Sequence, residues 1–211
     1  MSVAKLEAFD NAVTLFLSNR SYPAYLELFI WPGARLFGWE GMLLLWPPVI
    51  YYLSGTTGLI FFLSSAAIGQ SVNRLIKQTA QRDRPTPPSP LPERHFFVKV
   101  PTKHGSSDGP SFPSGDSMAC GSVAATLYVL LGNKLYLLLA LWGMIGRMYY
   151  HCHYFFDTVV GASIGVASAL VVKQVPALSP TGFICAIPIF IAWMKCSKVV
   201  ARYIHVRNVK M

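Results

Sequence analysis

The chain has 211 residues, of which 53% are hydrophobic and only 13% are charged, and its mean hydropathy is +0.43. Soluble domains average about 25% charged residues, so this composition argues against a soluble domain and predicts a membrane protein. The net charge of +9 fits anionic lipid headgroups or an anionic substrate better than nucleic acid, because the basic residues lie between apolar runs rather than along one solvated face.

The chain begins with two apolar segments that are not predicted to cross a bilayer. Residues 3–17 have apolar positions at helical spacing with polar interruptions, which predicts an amphipathic helix in the membrane interface. Residues 22–31 form a short interfacial or re-entrant piece that is expected to end at Pro32 and Gly33. Six apolar stretches follow, and together they predict an all-α bundle of about six transmembrane helices: residues 36–54, 58–76, 117–132, 135–146, 154–172 and 181–194.

A polar segment, residues 78–112, interrupts the apolar pattern. It contains five prolines within residues 85–92, then charged residues, then glycines and serines, and this proline density excludes a long helix. A loop of this length in a compact protein is usually functional or disordered. We predict a single membrane-embedded domain over residues 1–211, with a core at 58–172, an active-site loop at 78–112 and a basic tail at 195–211.

Two clusters at the ends of this loop are suited to binding phosphate. Lys77 and Arg84 follow the second predicted span, and a guanidinium can contact two phosphate oxygens while an ammonium acts as a point charge. Ser114 and Gly115 precede the third span, where the free N–H groups of a helix N-terminus bind anions. A glycine there also lets an oxyanion approach the backbone closely.

A third cluster lies between the fourth and fifth spans. Arg147 ends one span, while His153 and Asp157 open the next, four residues apart on one helical face. A carboxylate in that position can hold the imidazole tautomer and leave the other ring nitrogen free to attack phosphorus. Because successive spans cross in alternating directions, all three clusters are expected on the same side of the membrane.

The order Lys-x6-Arg-Pro, Pro-Ser-Gly, Arg-x5-His-x3-Asp resembles the type 2 phosphatidic acid phosphatase superfamily, over about residues 58–172. The resemblance implies an antiparallel helical core and phosphate hydrolysis without metal or cofactor. It also implies that His153 is the nucleophile that forms phosphohistidine and that Asp157 orients it. The residues that it implies for binding the phosphoryl group are Lys77, Arg84, Ser114, Gly115 and Arg147.

Two positions depart from the pattern of that family. Gly146 stands where the family usually has Ser, which should weaken the phosphate contacts modestly. Asp116 stands where the family usually has the His that protonates the leaving oxygen. Aspartate is an acid only when protonated, a form that a nearby phosphate favours by like-charge repulsion, so we expect a working enzyme with an acid-shifted optimum. His104 is an alternative acid, and a silenced site is the rival interpretation.

The run His151-Cys152-His153 invites comparison with a metal site. Adjacent side chains rarely converge on one tetrahedral ion, no further ligand cluster follows, and the four cysteines form no C-x-x-C pair. We therefore predict no metal site and no cofactor.

The distribution of charge predicts which side of the membrane the site faces. The loop and the tail are rich in Lys and Arg, whereas the opposite face offers little besides Lys134 and Lys173. The positive-inside rule thus predicts an active-site loop and both termini on the cytosolic side of a multi-pass protein. Many members of the family that it resembles have an outward or luminal site, and occupancy of the sequon Asn19-Arg20-Ser21 would argue for that orientation.

A site at the membrane interface suits an amphiphilic substrate, because the phosphate meets cations while the hydrocarbon tail stays in lipid. Phosphatidate, lysophosphatidate, sphingoid phosphate and polyprenyl diphosphate all fit. Lipid phosphate and the bilayer are the expected partners, and nucleic acid is not. Two other functions stay open: a phosphotransferase that passes the group from His153 to an alcohol, and a non-catalytic lipid-binding protein. The superfamily that the chain resembles also includes vanadium haloperoxidases, but that function is disfavoured because those enzymes are soluble.

Overall fold

A computed structural model of the chain describes residues 2–86, 92–96, 98 and 109–174. Within these ranges the regular secondary structure is helical, with no strand, as the all-α prediction requires. The predicted span at 181–194, the tail at 195–211 and His104 lie outside the described residues. The helices are α1 (Val3–Ser18), α2 (Ala24–Arg35), α3 (Trp39–Leu44), α4 (Trp46–Ala80), α5 (Gly115–Leu131), α6 (Leu138–Tyr149) and α7 (Phe155–Gln174), with a 3₁₀ turn at Lys134–Leu137 before α6.

Two stretches of the described chain are long and apolar enough to cross a membrane. They are Trp39–Ala80, which joins α3 and α4, and Phe155–Gln174, which is α7. Helix α5 is apolar but has 17 residues, and α6 has 12, fewer than the ~20 that a straight crossing needs. The chain is thus a helical, membrane-associated protein, and the count of six spans stays a prediction.

Helix α2 does not end where the sequence predicted. It continues through Pro32 and Gly33 to Arg35, so the prediction that these two residues stop the segment was wrong. The reason is contact with α6: the indole N–H of Trp142 donates to the carbonyl of Phe29 at 2.7 Å. A Cβ at Gly33 would lie 2.6 Å from the Trp142 carbonyl oxygen. Packing of the two backbones therefore outweighs the local helix-breaking preference.

The first predicted span, residues 36–54, is not one continuous helix. Helix α3 ends at Leu44, and Trp46 then starts α4, with its indole N–H donating to the Leu36 carbonyl at 2.9 Å. Trp46 also stacks on Phe37 with ring centroids 5.3 Å apart, so this part of the chain packs on itself. The predicted boundary between the first two spans corresponds to Gly55, which adopts a left-handed φ of 65° inside α4.

Helix α5 is the centre of the bundle and packs against α4, α6 and α7. Every residue from Ser117 to Leu127 is buried, so this helix lacks the exposed face of a surface helix. Its backbone nearly touches that of α7, because a Cβ at Gly161 would lie 2.3 Å from the Ser114 carbonyl oxygen. A Cβ at Gly165 would lie 2.0 Å from the Met118 carbonyl oxygen. Small residues thus fix the distance between these two helices.

Replacing Gly165 by Val should destabilise the bundle, because the new side chain overlaps the backbone of α5 rather than a side chain that can rotate away. Overpacking of this kind typically costs about 1–3 kcal/mol, and backbone overlap places this site at or above the upper end. The measurement is thermal unfolding in detergent. Ala167→Val is the matched control, since Ala167 is exposed on the same helix. Equal unfolding temperatures for the two variants would contradict the packing argument.

Candidate active site

The three sequence clusters meet at one end of the bundle, where α4 ends, α5 begins, α6 ends and α7 begins. The backbone N–H of Ser114 donates to the Asp157 carbonyl at 2.9 Å and joins the second cluster to the third. The Arg84 guanidinium donates to the Cys152 carbonyl at 2.9 Å and joins the first cluster to the third. The turns between helices are therefore held against one another by hydrogen bonds to backbone carbonyls.

The imidazole of His153 lies between a cation and a carboxylate. Its Nε2 is 3.4 Å from Nη1 of Arg84, and its Nδ1 is 3.7 Å from Oδ2 of Asp157. The hydroxyl of Ser111 is 3.4 Å from the same Nδ1 and donates a short hydrogen bond of 2.5 Å to the same Oδ2. The two ring nitrogens thus face opposite environments: Nδ1 faces an anionic network and Nε2 faces the cationic side of the site.

Burial lowers the pKa of His153 to about 4; Asp157 opposes the shift, but Arg147 and Arg84 add to it. An ordinary histidine has a pKa of about 6.5. Because the pKa is lowered, the imidazole stays neutral at every pH above about 4 and keeps the lone pair that a nucleophile needs.

Asp157 is completely buried, and donors from three segments satisfy its carboxylate. Oδ1 accepts from Nη1 of Arg82 at 2.7 Å, while Oδ2 accepts from the Ser111 hydroxyl and from the Tyr154 backbone N–H. Arg82 also donates to Asp10 on α1. Burial disfavours the charge on Arg82, but the two carboxylates outweigh it and raise the pKa of the guanidinium. Asp157 therefore has the fixed orientation expected of a residue that positions an imidazole.

Three cations lie within electrostatic reach of one another near the histidine. Arg84 lies beside Nε2 of His153, and Lys77 is within reach of Arg84 and Arg147. Arg84 also donates from Nε to the Gly109 carbonyl at 3.3 Å. Repulsion among three positive charges in one place is relieved by an anion, so the arrangement suits phosphate.

Helix α5 starts at this cation cluster. Ser114 is its N-cap residue and accepts a hydrogen bond from the Ser117 backbone N–H at 3.2 Å. Its hydroxyl oxygen is thus used by the helix, although the hydroxyl proton can still donate. A Cβ at Gly115 would meet its nearest neighbour, the Asn73 side chain, at 3.7 Å, which is ordinary contact. Packing alone therefore does not explain a glycine at this position.

Arg147 pairs with one of the two positions that depart from the family pattern and follows the other in the chain. Its Nη1 forms an ion pair with Oδ2 of Asp116 at 2.8 Å and also lies 3.2 Å from the Ala34 carbonyl on α2. The preceding residue, Gly146, faces the same helix: a Cβ there would lie 2.5 Å from the Ala34 backbone nitrogen. The family serine is sterically excluded because α2 occupies its place.

The other two residues of the run His151-Cys152-His153 have structural partners. Nε2 of His151 lies 3.0 Å from the Ser18 carbonyl on α1, away from His153. Cys152 is buried, with its thiol 3.5 Å from the Tyr150 carbonyl. Among the residues that the structure describes, no group of three or more His, Cys, Asp or Glu side chains could hold a metal ion.

Sequence reasoning missed Ser111, Arg82 and Asp10 as members of the site. Arg82 is two residues before the predicted phosphate ligand Arg84, and Ser111 is three before Ser114, so nearness to the motifs was the available signal. Asp10 gave no comparable signal, because it is one of several polar residues in a helix predicted to be amphipathic.

Replacing Gly146 by Ser should lower the thermal unfolding temperature and leave phosphate affinity no higher, because the Cβ collides with α2 before the hydroxyl can reach a ligand. The expected cost is about 1–3 kcal/mol. Unfolding in detergent and competitive inhibition by inorganic phosphate are the measurements. Gly146→Ala is the matched control and should be destabilised equally. A serine variant that gains phosphate affinity at unchanged stability would contradict this prediction.

Comparison with known proteins identifies a family and two similar folds. Residues 58–180, more than half of the chain, match the PAP2 superfamily. The fold is similar to that of LpxE from Aquifex aeolicus, with a TM-score of 0.60 and 19% identity over 78% of this chain and 94% of that chain. It is also similar to a transmembrane PAP2 type phosphatidylglycerolphosphate phosphatase from Bacillus subtilis, with a TM-score of 0.59 and 21% identity over 82% of this chain and 86% of that chain. No curated protein matches the sequence. The match over residues 58–180 shows that the chain belongs to the type 2 phosphatidic acid phosphatase (PAP2) superfamily.

Proposed function

We propose that the protein is a metal-independent lipid phosphatase that hydrolyses a lipid phosphate monoester or diphosphate at the membrane interface. The observation that carries the proposal is the position of His153, with Nδ1 towards Asp157 and Nε2 towards the cation Arg84. A phosphoryl group bound by the cations lies in front of the nitrogen that can attack it.

The Ser111 hydroxyl supports the role of Nε2 as the attacking atom. Because this hydroxyl donates its proton to Asp157, its oxygen can only accept from the ring, so Nδ1 carries the hydrogen. Nε2 of His153 is then unprotonated, and its lone pair is directed towards the Arg84 guanidinium, where a bound phosphoryl group is expected. Because the pKa of His153 is lowered to about 4, the ring is also neutral at physiological pH.

The proposed reaction has two steps. In the first, Nε2 of His153 forms a bond to phosphorus, the bond between phosphorus and the ester oxygen breaks, and a proton from an acid neutralises that oxygen. In the second, water attacks the phosphohistidine, the N–P bond breaks, and inorganic phosphate leaves. Lys77, Arg84 and Arg147 stabilise the charge on the equatorial oxygens in both steps, together with the α5 N-terminus at Gly115.

We assign the acid to Asp116, which lies at the start of α5 in contact with Arg147. In an ion pair the carboxylate is ionised, whereas a general acid has to carry a proton. Asp116 must therefore take up a proton when the substrate binds. A phosphate on Arg147 both displaces the carboxylate and favours its neutral form by like-charge repulsion. The same group, deprotonated after the first step, can accept a proton from the attacking water in the second.

A lipid substrate agrees with the position of the site. The proposed ligands lie at the ends of apolar helices, where a phosphate headgroup is in the polar region while its chains remain in lipid. One protein of similar fold is described as a phosphatidylglycerolphosphate phosphatase, whose named substrate is a lipid phosphate. We further propose a multi-pass chain with the loop and termini on the cytosolic side, from the positive-inside bias of the sequence.

The first test is release of inorganic phosphate from a panel of lipid phosphates, without added metal, by detergent-solubilised wild type and His153→Ala. Wild type should release phosphate and the variant should be at background. With the His153 pKa at about 4, activity should persist well below pH 6.5, and the acid limb that reports this residue should lie near pH 4. A folded wild type that cleaves the ester only when an acceptor alcohol is present would favour the phosphotransferase.

A second candidate, a silenced lipid phosphate-binding protein, is favoured by the 2.8 Å ion pair between Asp116 and Arg147, because this carboxylate competes with phosphate for the guanidinium. The variants Asp116→Asn and Asp116→His separate the two functions. If Asp116 is the acid, Asn should abolish the alkaline limb of the pH–rate profile and slow the reaction on the order of 10²-fold. His should move that limb to higher pH. An inactive wild type that becomes active as Asp116→His would establish the silenced site.

A further inference from the structure

The first helix, α1, turns its polar residues inward. Asp10, Thr14 and Ser18 are four residues apart and at most 1% exposed, whereas Phe9 and Phe16 on other faces are more than half exposed. In a soluble protein the polar stripe of an amphipathic helix faces water. Here it is buried against the bundle, and the side chains of Asp10 and Thr14 have partners there.

Those partners are the start of α7 and the turn before it. Oδ1 of Asp10 accepts from the Phe156 backbone N–H at 2.8 Å, and the Thr14 hydroxyl accepts from the Phe155 backbone N–H at 3.0 Å. The first N–H groups of a helix have no acceptor within the helix. Helix α1 therefore supplies the acceptors for the first turn of α7, which is the turn that carries the proposed orienting residue Asp157.

A shared guanidinium extends this contact to Asp157 itself. Arg82 donates from Nη2 to Oδ2 of Asp10 at 2.5 Å and from Nη1 to Oδ1 of Asp157 at 2.7 Å. The ring of Tyr154 lies against the guanidinium, 4.0 Å from its central carbon. The cation is thus held on three sides, and it links a carboxylate of α1 to the carboxylate that faces His153.

We propose that Asp10 and Arg82 are a positioning pair, which fixes the rotation of the Asp157 carboxylate and through it the imidazole of His153. The proposal rests on the phosphatase function proposed above. The contacts described above join the two side chains to each other, to Asp157 and to the start of α7, on the Nδ1 side of the histidine. Loss of the pair should therefore slow the chemical step and leave substrate binding unchanged.

The primary test is Asp10→Asn in the full chain, with phosphate release measured against lipid phosphate concentration. Asn keeps an oxygen for the Phe156 N–H but loses the charge that holds Arg82. We expect kcat to fall on the order of tenfold with KM unchanged. Asp10→Glu, which restores the charge, should recover part of the loss.

Thr14→Val is the matched control, since Thr14 is equally buried on the same face of α1 and docks on the neighbouring N–H without touching Arg82. It should keep the kcat of the wild type. Equal losses of kcat in Thr14→Val and Asp10→Asn would show that Asp10 only helps to dock α1 on α7, and would overturn the proposal.

A double-mutant cycle with Arg82→Gln adds a readout that a structural role would not give. If Asp10 acts through Arg82, the Asp10→Asn substitution should have little further effect on kcat in the Arg82→Gln background. Additive losses would overturn the proposal. Should Arg82→Gln fail to fold, as judged by its unfolding temperature, the comparison of Asp10→Asn with Thr14→Val decides alone.

The reference activity separates this inference from the function on which it rests. An active wild type, an inactive His153→Ala and an Asp10→Asn equal to wild type would overturn the positioning pair and leave the phosphatase intact. A wild type without phosphatase activity would overturn both.

Discussion

Burial of the Asp157 carboxylate is the constraint on which the rest of the site depends. An ionised carboxylate out of contact with water is tolerated only when charge and hydrogen bonds compensate it. Here Arg82 follows α4, Ser111 precedes α5 and the Tyr154 N–H precedes α7, so the compensation comes from three separate parts of the chain. Removing one partner would leave a buried charge without full compensation. The turns are therefore held together by the same group that faces the histidine. The contacts that fold this end of the bundle also determine the geometry of the site.

The close approach of α5 and α7 is the second constraint, and it acts on the same residues. Because Gly161 has no side chain, the backbone of α7 reaches the Ser114 carbonyl, and the Ser114 N–H can then reach the Asp157 carbonyl at 2.9 Å. This places the N-terminus of α5, whose free N–H groups favour an anion, beside the first turn of α7, which carries the proposed catalytic pair. The small residues are packing residues, but their effect is a fixed distance between the anion-binding helix end and His153.

Local sequence rules predicted α5 and α7 well, since each starts within two residues of its prediction and Gly132 ends α5 as expected. The positions of the motifs at the ends of successive helices also predicted that they would meet, because successive helices run in alternating directions. The failures have a common physical cause. Pro32 stays helical because of a contact with Trp142, and Asp10 is buried because of a partner 72 residues away. Neither contact leaves a periodic signal, so no local pattern could have specified it.

The two departures from the family pattern act on one side chain. Gly146 lets α2 approach until the Ala34 carbonyl lies 3.2 Å from Arg147, and Asp116 pairs with the same guanidinium. Both changes supply negative charge or a dipole to Arg147, a role that a serine hydroxyl and a histidine would not perform equally. Under the proposed mechanism, phosphate has to displace Asp116 from Arg147, and the displaced carboxylate then lies beside a dianion that favours its protonated form. Substrate binding would thus generate the acid that the reaction requires. Aspartate at position 116, where the family usually has histidine, then changes the order of the proton transfers and does not remove the acid.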